Sequence, residues 1–405
     1  MNFSDVAAGS SASFFDCVII GGGLAGLVCA LRLSTSQLRV AIIDQPLPQA
    51  NGDLGGFAKF SGAKFSYLPA GRGLVPLLGS EDSLKDLLRH LSAVLGLEAP
   101  KIENLPPSPT LGSSLRLYHS VVLTTVQMDR LIETLEAKVA AKCSFISGAV
   151  VRIRPTMDGW EVDGPEGKLC SAKTVVCAGG RLGSRLLEQA GADPQPGRGL
   201  DVGVRIEFLD AAGSAALRSY GPDAKIIRGR CRTFCLNSPG RVYRYPFGDF
   251  SIAGGVVADS EFARSNFGLL CRLDRTAEIR DEIVKSLRSI PKETLERQAV
   301  VSDAIFGETE SVIRSAFGEG VFRDLLDLGA YLGEVALVDW SSPHIVHFPL
   351  LDWHWNTYAL PKTHRTSLSG VYAVGDIGGH ARGLLQAAAS GWIAANEVIV
   401  AYEGT

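Results

Sequence analysis

The feature that most constrains this chain is a strand–turn–helix–strand unit near its N-terminus. Residues 14–20 (FFDCVII) have the short, apolar, β-branched pattern of a buried parallel strand. Gly21-Gly22-Gly23-Leu24-Ala25-Gly26 follows at once and satisfies G-x-G-x-x-G. Residues 24–34 have helical spacing, and residues 40–43 predict a second strand that ends in Asp44. A βαβ unit of this kind predicts a doubly wound α/β sheet.

Each position in this unit has a physical purpose. Gly21 permits the tight turn out of the strand, Gly23 lets the backbone approach a pyrophosphate, and Gly26 lets the helix pack closely on the sheet. The helix N-terminus offers free N–H groups and a positive dipole end to phosphates. Asp44 can accept hydrogen bonds from ribose hydroxyls. An ordinary strand-to-helix turn is the alternative, and the unit alone does not distinguish FAD from NAD.

Composition and charge exclude several other classes of protein. The 405 residues are 46% hydrophobic and 20% charged, and the net charge of −3 provides no bulk attraction to nucleic acid or an anionic membrane. The eight cysteines include no CxxC pair and no metal-ligand spacing, so neither a zinc site nor a disulfide framework is expected. Residues 1–13 predict a flexible tail without a secretory signal, and no run of 18 apolar residues predicts a membrane span. A cytoplasmic protein is expected.

Three later segments favour FAD over NAD. The glycine pair Gly55-Gly56 follows Asp44 in residues 54–62 (LGGFAKFSG). Residues 174–180 (TVVCAGG) predict a buried strand that ends in small residues, where a bulky side chain would collide with a dinucleotide; a plain core strand is the alternative. Residues 370–376 (GVYAVGD) predict a strand that delivers an acid to the ribityl hydroxyls of a flavin. The helix that follows could direct its N-terminus at the flavin pyrimidine ring.

These motifs resemble the glutathione-reductase-type superfamily of FAD-dependent oxidoreductases, and more closely a group of uncharacterised FAD-dependent dehydrogenases. Local matches span residues 55–64, 179–185, 200–207, 232–239 and 375–386. The resemblance implies non-covalent FAD and these cofactor-binding residues: Gly21, Gly23, Leu24, Ala25, Gly26, Asp44, Gly55, Gly56, Phe57, Ala58, Val151, Ala178, Gly179, Gly180, Gly375, Asp376, Gly383, Leu384, Leu385 and Gln386. The sequence has no second strand–GxGxxG–helix unit and no CxxxxC, which excludes the disulfide reductases of the superfamily.

The remaining pattern predicts an α/β protein with a Rossmann-like FAD-binding domain and an interleaved α+β substrate domain that contains an antiparallel sheet. The FAD-binding domain is expected in residues 14–60, 129–200 and 350–405, and the substrate domain in 201–349 with part of 61–128. Strands are expected at 202–209, 226–235, 241–245 and 250–258, and helices at 275–288 and 311–328. The ligand would lie between the domains, against the flavin ring.

Several charged and aromatic residues are candidates for chemistry outside the cofactor. The period-2 rule places Arg228, Arg230 and Arg232 on one face of a predicted strand, either as an anion site for a substrate carboxylate or phosphate, or as a solvated face paired with acids such as Glu207. Tyr243 lies on the neighbouring predicted strand and is a further substrate candidate.

Two more residues are catalytic candidates. Lys59 could favour a reduced, anionic flavin, or be a solvated loop lysine. His380 could act as a base or shape the pocket, and nothing specifically signals that it attaches to a flavin. The aromatic residues 353–355 could wall the pocket or simply pack.

The sequence therefore predicts an FAD-dependent oxidoreductase that transfers a hydride between flavin N5 and a small or medium organic substrate, anionic substrates included. A dehydrogenase or oxidase is favoured because no NAD(P)H module is present. The alternatives are a reductase of an activated C=C bond with an external reductant, an RNA-modifying or RNA-binding flavoprotein, and a flavin-holding structural or sensor protein. The expected partner is a small molecule, with an unspecified electron donor or acceptor and without nucleic acid, membrane or metal.

Overall fold

The computed structural model describes residues 13–45, 54–98, 100, 112–195, 199–259, 261–273 and 277–404. The predicted tail lies outside these residues except for Ser13. The strands are β1 Phe14–Ile20, β2 Val40–Asp44, β3 Lys64–Ser66, β4 Ser114–Arg116, β5 Ser120–Val122, β6 Cys143–Ser147, β7 Arg152–Thr156, β8 Gly159–Gly164, β9 Gly167–Cys177, β10 Leu200–Phe208, β11 Lys225–Arg228, β12 Cys231–Asn237, β13 Gly240–Phe247, β14 Phe250–Val257, β15 Ser265–Leu273, β16 Val300–Val301, β17 His344–Asp352 and β18 Val371–Ala373. The helices are α1 Leu24–Leu33, α2 Val75–Leu78, α3 Glu81–Val94, α4 Thr125–Ala140, α5 Gly183–Gln189, α6 Ala215–Arg218, α7 Ala277–Arg288, α8 Lys292–Leu295, α9 Thr309–Phe317, α10 Glu319–Glu334 and α11 Leu384–Glu403.

The first sheet is built around five parallel strands in the order β6-β2-β1-β9-β18. The register pairs Ile20 with Ile43 and with Cys177, and Cys177 with Ala373. The carboxyl ends of four strands therefore lie level at one edge of the sheet. An antiparallel meander of β7, β8 and the first half of β9 extends the sheet on the other side. This arrangement confirms the predicted α/β fold class.

Helices α1 and α11 cover one face of the parallel sheet. Leu27 and Val28 of α1, together with Ala388 and Ala394 of α11, belong to the same buried cluster, and α3 packs into it through Leu84. The small residues of α11 allow close approach: a Cβ on Gly391 would stand 2.0 Å from the carbonyl oxygen of Ala25. By length and composition α11 could span a membrane, but 61% of its most apolar 18-residue window is buried inside the protein, as in a core helix.

The second sheet is antiparallel throughout, in the order β16-β17-β10-β15-β12-β11-β4. One face is apolar and packs against α9 and α10, with Phe208, Phe322 and Leu325 fully buried between them. Alternate residues of β10 face the other way, so Asp201 and Arg205 lie on a polar face. The β13–β14 hairpin packs over this polar face. The predicted antiparallel sheet is thus confirmed, and its polar face is a buried surface rather than a solvated one.

Two predicted elements are wrong in their boundaries. The single strand expected at 226–235 is a hairpin of β11 and β12, because Gly229 has a φ of +56° that turns the chain. The register pairs Arg228 with Cys231 and Ile227 with Arg232, so Arg228 and Arg232 point to opposite faces. The helix expected at 311–328 is divided into α9 and α10 at Gly318, whose φ is +83°.

Candidate functional site

The glycine turn after β1 has the geometry of a phosphate cradle. Gly21 has a φ of +106°, and a Cβ on Gly26 would lie 2.0 Å from the carbonyl oxygen of Gly21. Gly26 is therefore needed for the helix to approach the turn. A Cβ on Gly23, by contrast, would meet nothing within 4 Å, although Gly23 is the N-cap of α1. The open side of Gly23 thus faces the free N–H groups of the helix N-terminus, where an anion is stabilised.

Asp44 and the second glycine pair lie against this turn. The Asp44 carboxylate accepts hydrogen bonds from the Gly22 and Gln45 N–H groups, at 2.7 and 2.9 Å. Burial raises the pKa of Asp44, and these two amides oppose the shift. The N–H of Gly55 donates to the Gly22 carbonyl oxygen at 2.9 Å, and a Cβ on Gly56 would stand 3.3 Å from the Gly23 Cα. The structure therefore brings the two glycine motifs together.

The ends of β9 and β18 complete the same edge of the sheet. The N–H of Ala178 donates to the Ile20 carbonyl oxygen, and a Cβ on Gly21 would stand 2.7 Å from the Gly179 nitrogen. Gly375 follows β18, and a Cβ there would be 3.5 Å from the Cβ of Ala25. Asp44 and Asp376 thus lie at one edge of one sheet, as the sequence predicts for two acids that bind opposite ends of a dinucleotide.

Asp376 and three further charged side chains lie close together. Arg382 pairs with Asp376 at 3.0 Å and with Asp352 at 2.6 Å, and Arg181 lies 3.4 Å from Asp376. Asp352 is the last residue of β17, so Arg382 joins the antiparallel sheet to the parallel one. Burial opposes ionisation of Asp352, but Arg382, Arg181 and Arg232 outweigh it and hold the pKa of Asp352 at about 2.

An aromatic frame surrounds these charges. The Arg181 guanidinium lies 4.8 Å from the Trp355 ring centroid and 5.4 Å from that of Tyr245, and its Nη1 donates to the Tyr245 hydroxyl at 2.7 Å. Trp353 stacks on Trp355 with ring centroids 5.4 Å apart, and both are nearly buried. The indole Nε1–H of Trp355 also donates to the Asp376 carbonyl oxygen at 3.0 Å. The two tryptophans therefore pack against each other and also line the charged junction of Arg181, Arg382, Asp352 and Asp376.

Helix α11 starts beside the junction and is tied to the Gly375 loop. Gly383, with a φ of +113°, is its N-cap, and Gln386 donates from Nε2 to the Ser66 carbonyl oxygen at 2.6 Å. Further along, the Ser390 hydroxyl accepts from the Gly375 N–H at 3.0 Å and lies 3.0 Å from His364 Nε2. Leu385 is buried and Leu384 is half-buried. The predicted residues 383–386 thus begin the helix at the end of the GD strand.

Several buried polar atoms at the junction lack a protein partner within the described residues. They are Asp352 Oδ2, Arg382 Nε, His354 Nε2 and Gln386 Oε1. Unpaired buried polar groups are costly, and the first three of these atoms lie at or beside the end of β17, which points to a polar ligand there. An extended molecule with phosphates at Gly23 and hydroxyls at Asp376 fits this edge of the sheet. The residues present therefore fit FAD.

The remaining predicted cofactor residues have varied surroundings. Phe57 is 43% exposed and packs edge-on to Tyr245, with ring centroids 6.1 Å apart, whereas Ala58 is buried. Gly180 has a φ of +55°, and a Cβ there would meet nothing within 4 Å. Val151 is 46% exposed, and its N–H donates to the Asp163 carbonyl oxygen beside the end of β6.

The two predicted catalytic residues differ in their placement. Lys59 lies in the glycine loop, where a Cβ on Gly55 would be 2.9 Å from Lys59 Cε. His380 contacts backbone carbonyl oxygens: its Nε2 is 3.1 Å from that of Leu360 and 3.0 Å from that of Thr363. Its ring also packs edge-on to His364. The contacts of His380 favour a structural role.

The three arginines predicted on one strand face are not brought together. Arg228 makes a bidentate pair with Asp327, Arg230 pairs with Asp324, and Arg232 pairs with Asp201 at 2.7 Å. The first two acids lie on α10 and the third on β10. Each arginine therefore has a carboxylate partner, as in the paired-face alternative, although Arg232 shares Asp201 with Arg272. Glu207 contacts His347 and Arg264 instead.

Tyr243 and Tyr245 share a face of β13, because alternate residues of a strand point the same way. Tyr243 stacks on Phe60 with ring centroids 5.4 Å apart. Tyr243 was predicted from the sequence as a site residue, whereas Tyr245, Arg181 and Asp352 were not. The same period-2 rule over residues 241–245 (RVYRY) could have found Tyr245. Within the described residues no group of three or more metal-ligating side chains is present.

A short part of the chain matches a known family, and several solved structures resemble the chain at low sequence identity. Residues 16–53 match the family described as an FAD binding domain. Glycine oxidase from Geobacillus kaustophilus is 16% identical with a TM-score of 0.46, over 96% of this chain and 95% of that one. The FAD dependent oxidoreductase PA4991 from Pseudomonas aeruginosa is 15% identical with a TM-score of 0.45, over 97% and 92% of the two chains. A flavoprotein/dehydrogenase from Cytophaga hutchinsonii is 12% identical with a TM-score of 0.43, over 97% and 79%. No curated protein sequence matches the chain.

The FAD-domain match covers the glycine turn and its acid, the part of the site with the most specific geometry. The family match and the geometry of the site together support FAD as the cofactor that binds here.

Proposed function

We propose that the protein transfers a hydride between FAD and a small or medium-sized organic substrate, as a dehydrogenase or oxidase. One observation carries the proposal: the charged junction of Arg181, Arg382, Asp352 and Asp376 lies where the two sheets meet, beyond the strand end that would hold the ribityl chain. FAD, when bound, supplies a hydride acceptor at N5. The β13–β14 hairpin, which packs over the antiparallel sheet, then forms the opposite wall of the reaction site.

The residues of the junction would act by binding and by charge. Asp376 would hold ribityl hydroxyls, and Arg382 would stand beside the N-terminus of α11, whose dipole is positive. Both positive groups favour negative charge on the reduced ring. Trp353 and Trp355 are nearly buried and would exclude water from this wall.

The candidate substrate-binding side chains do not favour an anionic substrate over a neutral one. Each of the arginines at residues 228, 230 and 232 already has a carboxylate partner, so the proposal does not rest on an anion site there. Tyr243 and Tyr245 instead present an aromatic face beside the glycine loop. We therefore propose a substrate with an apolar part that packs on these rings.

We also propose that FAD is held non-covalently and that the chain is related to the glutathione-reductase-type superfamily. His380 is the histidine considered for covalent attachment to the flavin, but its Nε2 lies against backbone carbonyl oxygens. On this proposal residues 14–60, 129–200 and 350–405 form the FAD-binding domain, and 201–349 with part of 61–128 the substrate domain. Acid precipitation should release all yellow colour into the supernatant.

The direction of electron flow is tested by anaerobic stopped-flow mixing without added acceptor. We expect NADPH alone to leave the flavin absorbance band unchanged, whereas a panel of organic hydride donors should bleach it. Arg382→Gln should slow bleaching by a good donor about 100-fold, because it removes a cation from the developing charge. Arg228→Gln is the matched control, because Arg228 of β11 is an arginine paired with a carboxylate, Asp327 of α10. Rapid bleaching by NADPH would contradict the proposal and favour a C=C reductase.

A further inference from the structure

Cys235 differs from the other cysteines in its surroundings. All eight cysteines lie within the described residues; seven are buried and Cys235 is partly exposed. Burial raises the pKa of Cys143 to about 11 and that of Cys177 to about 12, so both thiols are neutral and unreactive at neutral pH. Cys235 is therefore the thiol most open to a reagent in solution.

The backbone at Cys235 is in a conformation that ordinary residues avoid. Its φ is +45°, at the register shift between Phe234 and Asn237 in β12. A non-glycine residue in this left-handed region costs about 1–2 kcal/mol, and β-bulges commonly re-aim a side chain. Here the bulge turns the sulfur toward Gly62, where a Cβ would stand 3.4 Å from Sγ. The absence of a side chain at Gly62 leaves room for the sulfur.

Two cations converge on this cysteine. Lys64 Nζ is 3.8 Å from Cys235 Sγ and also contacts the Leu236 carbonyl oxygen. Arg205 is 1% exposed and donates from Nη1 to the Cys235 carbonyl oxygen at 3.2 Å and to Asn266 at 2.7 Å. Its Nε has no partner, and across the described part of the chain no carboxylate forms a salt bridge with either cation. A buried guanidinium without a salt bridge favours negative charge nearby, and the Cys235 sulfur is the group placed to carry it.

The remaining neighbours of the sulfur are one amide and one acid. Asn237 Nδ2 lies 3.8 Å from Sγ, and Asp223 is close enough to oppose a negative charge there. Burial also opposes ionisation, but Lys64 and Arg205, with the Asn237 amide, outweigh both effects and hold the pKa of Cys235 below its ordinary value. Reactive cysteines occur in such electropositive, partly exposed environments.

We propose that Cys235 is a thiolate that forms a nucleophilic site for small anionic electrophiles, with Lys64 and Arg205 as the cations that hold the sulfur and attract the ligand. In the covalent step the sulfur forms a bond to an electrophilic carbon, and the leaving group departs with its electron pair. With iodoacetate the S–C bond forms, the C–I bond breaks and iodide leaves. No oxidant or reductant is required, and the site does not depend on the proposed hydride transfer.

The test is the pH dependence of alkylation in the FAD-loaded protein, followed by intact mass and peptide mapping. We expect a single adduct at Cys235, with a rate midpoint below the value of about 8.5 for a free thiol. N-acetylcysteine in the same buffers is the reference. The ratio of the iodoacetate rate to the iodoacetamide rate should be higher for Cys235 than for N-acetylcysteine. Iodoacetate is anionic and iodoacetamide is neutral, and two cations face the Cys235 sulfur.

Variants identify the source of the effect. Lys64→Met should raise the midpoint by about one pH unit and lower the iodoacetate-to-iodoacetamide rate ratio several-fold, because one of two cations is lost. Lys85→Met, at an exposed position of α3, is the matched control and should change neither. Cys235→Ser should remove the adduct. Raising the ionic strength from about 0.05 M to about 0.5 M should lower the iodoacetate rate of the unmodified chain more than the iodoacetamide rate.

Three outcomes would overturn the proposal. One is a midpoint at or above that of the free thiol. A second is a Lys64→Met protein with the same midpoint and the same rate ratio as the unmodified chain. The third is an adduct that persists in Cys235→Ser. Because bound FAD and donor oxidation are measured separately, failure here leaves the oxidoreductase proposal standing.

Discussion

Gly23 and Gly26 lie one helical turn apart, yet a side chain at each would meet very different surroundings. At Gly26 a Cβ would stand 2.0 Å from the Gly21 carbonyl oxygen, which no backbone adjustment of a few tenths of an ångström relieves. At Gly23 the same atom would meet nothing, and the residue has a φ of −67° that alanine adopts readily. Gly26 is therefore required by the fold, whereas we propose that Gly23 is required by the FAD phosphates.

This difference predicts opposite effects of two alanine substitutions. Gly26→Ala should lower the free energy of unfolding by about 1–3 kcal/mol or more with or without FAD, because it overpacks the helix against the turn. Gly23→Ala should leave the stability of the FAD-free protein unchanged and raise the Kd for FAD at least about 10-fold. Urea unfolding and flavin fluorescence titration measure the two quantities. Wild-type FAD affinity in Gly23→Ala would show that phosphates do not lie there.

Helix α11 acts on the cofactor loop through a chain of hydrogen bonds. The N–H of Gly375 donates to the Ser390 hydroxyl, and Ser390 lies 3.0 Å from Nε2 of His364. His364 Nδ1 is 3.3 Å from the Glu397 carboxylate, which can only accept when ionised, so Nδ1 carries the proton. Nε2 then accepts from the Ser390 hydroxyl. The helix thus fixes the residue that precedes Asp376.

Removing the serine hydroxyl tests this link. Ser390→Ala leaves the buried Gly375 N–H without an acceptor, which should cost about 1–3 kcal/mol of stability and raise the Kd for FAD. Ser92→Ala is the matched control, because Ser92 is a buried helical serine that bonds to Tyr67 and Leu88 instead. Thermal unfolding and FAD titration should show a stability loss in both variants. Equal FAD affinity of Ser390→Ala and Ser92→Ala would show that the Ser390 hydrogen bond does not contribute to FAD binding.

The elements that sequence analysis predicted well are those with a local signature. The strand, the glycine turn and Asp44 occupy one short stretch, and parallel strands bring their carboxyl ends to one edge, so Asp44 and Asp376 could be related without a structure. The β11–β12 hairpin was missed because Gly229 lies inside an alternating pattern that a strand also satisfies. The contact of Arg181 with Tyr245 depends on how two sheets pack, which no local pattern encodes.

At the scale of the whole molecule, the two sheets are joined by charged side chains. Arg382 bridges Asp352 on the antiparallel sheet and Asp376 beyond the parallel one. His354, two residues after Asp352, packs edge-on to Phe247 with ring centroids 4.7 Å apart. Burial, together with Arg181 and Arg382, lowers the pKa of His354 to about 3 and outweighs the opposing effect of Asp352. This imidazole is therefore neutral in the folded protein at pH values where an unfolded chain protonates it.

That shift predicts a loss of stability in mild acid. The folded pKa lies below the unfolded value of about 6.5, so the unfolded chain binds more protons between pH 6.5 and 3 and stability falls as the pH is lowered through that window. The slope contributed by His354 is at most about 1.4 kcal/mol per pH unit. Urea unfolding of the FAD-free protein at pH 7, 6 and 5 measures it. His354→Asn should flatten the slope; an unchanged slope in this variant would contradict the assignment.

Two of the five tryptophans of the chain, Trp353 and Trp355, stack together against the arginine-bearing junction. FAD bound beside them would absorb at the wavelengths where indoles emit, so energy transfer to the flavin would quench the fluorescence of this pair. Intrinsic fluorescence should dim in proportion to the fraction of chains loaded with FAD, and replacing both indoles by phenylalanine should remove much of that response while leaving the more distant tryptophans to report on the folded state.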